Sequence, residues 1–287
     1  MTNNIFVPTR FRRAIALHVM KNLMKTPVPP PLILGIHGPS GDGKTFQCEE
    51  ILREMSVTPF LISGGQLESD RAGTPALLVR ETYIQASRHM TENKGGAAVV
   101  INDIDTGVGD WGDKVQYTVN RQTVFGELMH LVDYPTKVAT TVTRRVPVII
   151  TGNDFTKLYE PLVRAGRMSS LNWRPTVDEK IAIVCRILSE LTPAQCTALV
   201  TDLEGNREAS RLEPLSIAFY RHVRSALLDD WLWSDLERRD LSAATKDALV
   251  GLQPKFPTSL EYDHVLATAR GLLTSGELLN HLRSEAK

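Results

Sequence analysis

Apolar positions follow two regimes along the chain. Up to about residue 175, short uninterrupted apolar runs alternate with segments of helical period; beyond it only the helical period persists. Residues 9–25 place Phe11, Ala14, Ile15, Leu17, His18, Met20, Leu23 and Met24 at helical spacing, with Thr9 as the expected N-cap. The run Pro27-Val28-Pro29-Pro30-Pro31 stops that helix. Residues 32–36, 58–62, 97–101 and 145–151 predict strands, and 46–55, 74–90 and 118–132 predict the helices between them. Such alternation predicts a parallel sheet covered by helices on both faces. Past Pro175 the segments 177–191, 193–203, 215–228, 242–252, 259–273 and 276–286 all read as helices. The expected organisation is an α/β domain over 1–175 and an all-α domain over 176–287.

Composition changes this picture little. The 287 residues are 42% hydrophobic and 23% charged, as in soluble globular proteins. Lys+Arg and Asp+Glu balance at 33 each, so no basic field points to nucleic acid or anionic lipid. Cys48, Cys185 and Cys196 have no metal-type spacing and read as buried thiols in a reducing compartment. No apolar run reaches membrane-span length and the N-terminus carries no signal-peptide pattern, so the expected location is the cytoplasm, with no membrane partner.

Candidate chemistry begins where the first strand ends. Gly38-Pro39-Ser40-Gly41-Asp42-Gly43-Lys44-Thr45 fits G-x-x-x-x-G-K-[ST] between a predicted strand and a predicted helix. Glycines at these places let backbone N–H groups converge on phosphate oxygens, and the helix N-terminus favours the anion. Lys44 would reach the β- and γ-phosphates of a nucleoside triphosphate, and the Thr45 hydroxyl would ligate Mg²⁺. The strand 97–101 runs into Asn102-Asp103-Ile104-Asp105, where carboxylates would meet the metal and the attacking water. Asp103 is the first candidate for orienting that water, Asp105 the second; Asn102 brings an acceptor without a charge. The strand 145–151 ends at Gly152-Asn153, where a polar side chain can hold the water from the other side.

An α/β P-loop domain followed by a helical one suggests, by fold analogy, the AAA+ architecture: a parallel five-stranded sheet sandwiched by helices, with a small all-α lid. Further residues make the likeness specific. Pro31 to Ile36, Phe46-Gln47-Cys48-Glu49, Leu67-Glu68-Ser69, Gln116 to Asn120, Val146 to Phe155, Leu158-Tyr159, Pro161-Leu162, Gly166-Arg167-Met168 and Trp173 closely resemble the AAA+ module of green-type Rubisco activases. The likeness runs from about residue 5 to about 185 and thins over the helical domain, where Ser216-Ile217, Phe219, Arg224 and Asp229-Asp230 still match.

The resemblance implies ATP hydrolysis with Mg²⁺ in a homo-oligomeric, hexameric ring, and release of inhibitory sugar phosphates from Rubisco. It implies that Arg164 and Arg167 complete a neighbouring subunit's site; their i, i+3 spacing is expected to set both on one side of a helical turn. It implies a nucleotide-sensing role for Arg224, with Ala226 where the family has a second arginine. It also implies two pore-lining loops, 65–75 with Leu67, Glu68, Asp70 and Arg71, and 107–114 with Asp110, Trp111 and Asp113. The chain is expected to lack the family's N-terminal extension, and the segment 231–239 departs from the part that contacts Rubisco, with Trp231 and Trp233 unable to share one helix face. The client is therefore Rubisco or another protein. The alternatives are a nucleotide-switched scaffold, for which Asn102 speaks, and a nucleic-acid loader, against which the neutral charge and the loop aspartates speak.

Overall fold

The computed structural model describes residues 6–68, 71, 73–92, 94–105, 115–209, 212–252 and 257–275. Val7–Arg174 form one compact unit and the described residues from Pro175 onward another. The expected loop 107–114 and the expected helix 276–286 lie outside the described residues.

In the first unit the order is α1 (Thr9–Leu23), β1 (Ile33–His37), α2 (Lys44–Glu54), β2 (Val57–Ser63), α3 (Thr74–Thr91), β3 (Gly96–Asn102), α4 (Val115–Asp133), β4 (Lys137–Val138), β5 (Thr141–Val142), β6 (Val148–Gly152), α5 (Glu160–Val163) and β7 (Met168–Asn172). Five strands form one sheet in the order β2-β3-β6-β1-β7, every pairing parallel. β1 therefore lies between β6 and β7, with His37 opposite Gly152 on one side and Asn172 on the other. The carboxyl ends of β1, β3 and β6 share one edge, where open α/β sheets place their ligands. The strands β1 and β6 are buried nearly throughout, as a sheet covered on both faces requires.

Helix faces follow the sequence pattern with two corrections. α1 buries Phe11, Ile15, His18, Val19 and Asn22, one stripe at helical period. Its N-cap is Pro8 with no side-chain cap, so Thr9 is already inside the helix. In α2 the buried face is Lys44, Gln47, Cys48, Ile51 and Leu52, whereas Phe46 is exposed. α3 buries Val79, Tyr83, Ala86 and Met90 into the main core, with Ile62, Val99, Ile101, Ile150 and Phe155. The Tyr83 hydroxyl donates to the Pro135 carbonyl at 2.9 Å and accepts from Val146 N–H at 3.0 Å, so β6 begins only at Val148.

The second unit contains α6 (Val177–Ile187), α7 (Pro193–Ala209), α8 (Ile217–Leu236), α9 (Leu241–Leu249) and α10 (Tyr262–Thr274). Thr176 and Glu179 form a capping box on α6, and Ser216 and Asp240 cap α8 and α9. Val184, Leu188, Leu199, Leu203, Phe219, Val223 and Val265 meet in its core. Lys180, buried beside them, is satisfied by Glu204 at 2.6 Å and the Leu215 carbonyl at 2.8 Å. Cys196 is buried and Cys185 half-buried, so the expectation of fully buried thiols holds for Cys48 and Cys196 alone.

Candidate functional site

The segment 38–45 leaves the carboxyl end of β1 and becomes the N-terminus of α2. Gly38 has φ +151, and a Cβ there would stand 2.0 Å from the Trp173 carbonyl oxygen. Gly43, the N-cap of the 11-residue α2, is left-handed at φ +74 with no side-chain cap. The first-turn N–H groups of α2 are thus left open to an anionic acceptor, the physical basis of phosphate binding at helix N-termini. Trp173, fully buried just past β7, donates Nε1–H to the Asp42 carbonyl at 3.0 Å and packs edge-on against Phe11 of α1 at 4.8 Å. The sharp turn is therefore pinned from below.

Lys44 is buried, and its ammonium donates to the Gly38 carbonyl at 2.8 Å, the Pro39 carbonyl at 2.9 Å and Asn153 Oδ1 at 3.0 Å. Burial lowers its pKa, opposed by the negative charges of Asp103, Asp42 and Asp105. Thr45 is half-buried beside it, while Ser40 and Gly41 are exposed. The cation thus bridges the P-loop to the end of β6, 109 residues away. His37 at the end of β1 stacks on Phe155 at 5.1 Å; burial lowers its pKa, Asp154 opposes this, and Lys44 and Arg174 add to it.

The ends of β3 and β6 complete the edge. Asp103 is exposed, left-handed at φ +52, and donates its backbone N–H to Thr151 Oγ1 at 3.1 Å. Asn102, half-buried, accepts from the Thr151 hydroxyl at 3.2 Å. Asp105 is buried, and its Oδ2 accepts the backbone N–H groups of Asn153 at 2.8 Å and Asp154 at 3.0 Å. This carboxylate therefore has a local task in holding the chain that presents Asn153. The structure brings together Lys44, Asp103, Asn153 and, behind them, Asp105. Oxygen donors of this kind suit a hard cation bound mainly through phosphate and water. Among the described residues no cluster of three or more His, Cys, Asp or Glu forms a self-sufficient metal site.

The expectation that Arg164 and Arg167 share a helical turn is corrected. α5 ends at Val163, Arg164 is extended with ψ 143, and a turn through Gly166 at φ +95 carries the chain into β7. Arg167 folds back, donating to the Pro161 carbonyl at 3.1 Å and lying 3.5 Å from Asp133. The Arg164 carbonyl accepts the N–H groups of Arg167 at 3.1 Å and Met168 at 3.3 Å, but its exposed side chain makes no hydrogen bond or ion pair among the described residues. In the helical unit Arg224 donates to Glu190 at 2.5 Å.

Comparison with known proteins decides the family. The sequence model of the ATPase family associated with various cellular activities (AAA) matches residues 34–176. The chain is 42% identical over 234 residues to the ribulose bisphosphate carboxylase/oxygenase activase of Anabaena sp., covering 78% of this chain and 54% of that protein. With the chloroplastic activase of Zea mays, identity is 34% over 305 residues, covering 100% of this chain and 68% of that protein. The chain belongs to the Rubisco activase family. It spans about half the length of the cyanobacterial and tobacco activases that it matches.

In this member of the family, the loop expected to begin at Gly65 is in part a core element. Gly64–Leu67 form a 3₁₀ turn capped by Ser63 and Gln66, in which Gly64 and Leu67 are buried and Gly65 and Gln66 exposed; Glu68 and Arg71 beyond it are exposed, and Asp70 lies outside the described residues. Trp233 is exposed and bonds Glu237 at 2.8 Å, as the helix geometry of paired tryptophans anticipated for one of them. Sequence reasoning gave no role to Thr151 and used Trp173 only as a point of likeness. Both act through partners distant in sequence, and no local pattern signals them. Among the described residues, no helix is long and apolar enough to cross a membrane.

Proposed function

We propose that this protein hydrolyses ATP in a ring of identical subunits and uses the cycle to remodel a protein client, with Rubisco as the first candidate. The observation that carries this reading is the Lys44 ammonium, buried and held at once by P-loop carbonyls and by Asn153 at the end of β6. MgATP, when bound, supplies the transferable phosphoryl group and the divalent charge that offsets it. Residues 38–45 would cradle the phosphates, Lys44 would neutralise them, and Thr45 with Asp103 would hold Mg²⁺. Asp103 would orient the attacking water and Asn153 would steady it from the opposite side, with the exchange of position between loop carbonyls and phosphate oxygens left to the Lys44 ammonium. Arg164, exposed and unpaired among the described residues, has the availability that a trans-acting arginine needs. Arg224 would sense the nucleotide from the helical unit. The free thiols agree with a reducing, cytoplasmic setting.

The client follows from the relatives, whose names give activase of ribulose bisphosphate carboxylase/oxygenase as their function. Steady-state phosphate release by wild type, with none above background in Lys44→Ala, is the expected result. Reactivation of sugar-phosphate-inhibited Rubisco from the same organism by wild type plus ATP is the second arm. Hydrolysis without reactivation would keep the ATPase and remove the client. Equal release by both proteins would instead favour a nucleotide-switched scaffold, the reading that Asn102 in place of an acid supports.

A further inference from the structure

Main-chain pairing between β3 and β6 stops short of the site. The last paired residues are Ile101 and Ile150, so Asn102, Asp103, Thr151, Gly152 and Asn153 lie beyond this ladder. Side chains take over there, in both directions. From β6, fully buried Thr151 accepts the Asp103 N–H and donates its hydroxyl proton to Asn102 Oδ1. From beyond β3, Asp105 accepts the N–H groups of Asn153 and Asp154. Gly152 makes room for this, since a Cβ there would lie 2.7 Å from Asp105 Oδ1.

Asp103 explains why the contact is needed. Its left-handed backbone is unfavourable for an L-residue and persists only where neighbours fix it. The same conformation turns its N–H toward β6, where the Thr151 hydroxyl is its acceptor. Asn153, held by Asp105 through its own N–H, in turn receives Lys44.

We propose that Thr151 and Asp105 form a reciprocal clasp between the ends of β3 and β6, in which Thr151 is a positioning residue for hydrolysis, fixing Asp103 relative to Asn153 and Lys44. The inference rests on the hydrolysis reading above. Reacting groups supplied by different strands must be held to fractions of an ångström, and only supporting bonds do that where the ladder has ended. Thr151→Val removes both hydroxyl bonds at nearly constant shape; Thr151→Ser retains them.

The test uses the full chain. Without nucleotide, hydrogen exchange at the Asp103 amide is expected to be faster in Thr151→Val and near wild type in Thr151→Ser. With ATP, kcat is expected to fall by about tenfold or more in the valine variant, a typical loss for an outer supporting bond. The KM for ATP should stay within about twofold, as for an interaction needed in the transition state. Serine should restore kcat. Unchanged exchange at Asp103, an unchanged kcat in Thr151→Val, or a serine variant as impaired as valine would each overturn the proposal. Should Thr151→Val not fold, Thr151→Ala against Thr151→Ser makes the same comparison. Failure of the hydrolysis reading is recognised separately, by wild type releasing no more phosphate than Lys44→Ala; the positioning role then falls with it, while exchange at Asp103 still tests the clasp.

Discussion

Gly38 leaves β1 at φ +151 with the Trp173 carbonyl group directly where a side chain would go, its oxygen 2.0 Å and its carbon 2.9 Å from a built Cβ. That neighbour is backbone, and Trp173 N–H is itself bonded to the His37 carbonyl at 2.6 Å, so neither side can swing away. Gly38→Ala is expected to push the P-loop off the end of β7 and weaken ATP binding by about tenfold or more, the equivalent of about 1.4 kcal/mol. Titration with a fluorescent ATP analogue measures this, and unchanged affinity would mean that the loop's position is not set by Trp173. The glycines, Lys44 and Thr45 were legible because their spacing is local and their chemistry follows from it. Trp173 was not, because its bond to Asp42 joins residues 131 apart in sequence.

Elements were legible where an apolar period was long. All the helices expected within the described residues are present, and so are the four apolar strands, but α7 and α8 run on to Ala209 and Leu236, well past the expected ends at 203 and 228. β7 was not expected at its place, since Met168-Ser169-Ser170-Leu171-Asn172 buries only Met168 and carries no strand-like pattern. That omission is also why Arg164 and Arg167 were set on a helix. α1 shows what a correctly read element can still conceal. Its apolar stripe includes His18, whose Nε2 lies 3.1 Å from the Val148 carbonyl, and Asn22, which accepts from Arg145 Nε at 2.7 Å. These bonds strap α1 to the start of β6. Burial, with Arg145 and Lys21 adding to it, pushes the His18 pKa down to about 4 from 6.5, against the opposing pull of the Val148 and Leu32 carbonyls. The folded state therefore prefers the neutral ring: its contribution is complete above pH 6.5 and is lost as pH falls through that value toward about 4. A loss of about 3 kcal/mol across this window follows from the shift. Urea unfolding between pH 7 and 4 should show that slope in wild type and a flatter one in His18→Gln. Parallel slopes would remove His18 as the acid-sensitive group.

At the scale of the whole molecule, the two arginines that resemblance treated alike have different surroundings. The Arg167 side chain is spent on its own chain, bonded to the Pro161 carbonyl and facing Asp133, whereas the Arg164 side chain extends from a non-helical turn with no bond among the described residues. If a ring forms, its interfaces are head-to-tail, so each site belongs to one subunit and borrows from the next. Arg164 should then act in trans, while Arg167 should serve chiefly to hold the turn before β7. The single variants and their mixtures test these roles together. Lys44→Ala and Arg164→Ala are each expected to be inactive alone. Mixed one to one, an Arg164→Ala subunit keeps a sound P-loop and receives Arg164 from a Lys44→Ala neighbour, so random assembly should restore about a quarter of the sites. Arg167→Ala loses a support of the turn that carries Arg164 and not Arg164 itself, so alone it should keep part of the activity, and mixed with Lys44→Ala it should be rescued in the same way. Phosphate release from the mixtures reads out both cases, and a mixture of Lys44→Ala and Arg164→Ala that stays silent while assembling normally would place Arg164 outside the neighbour's site.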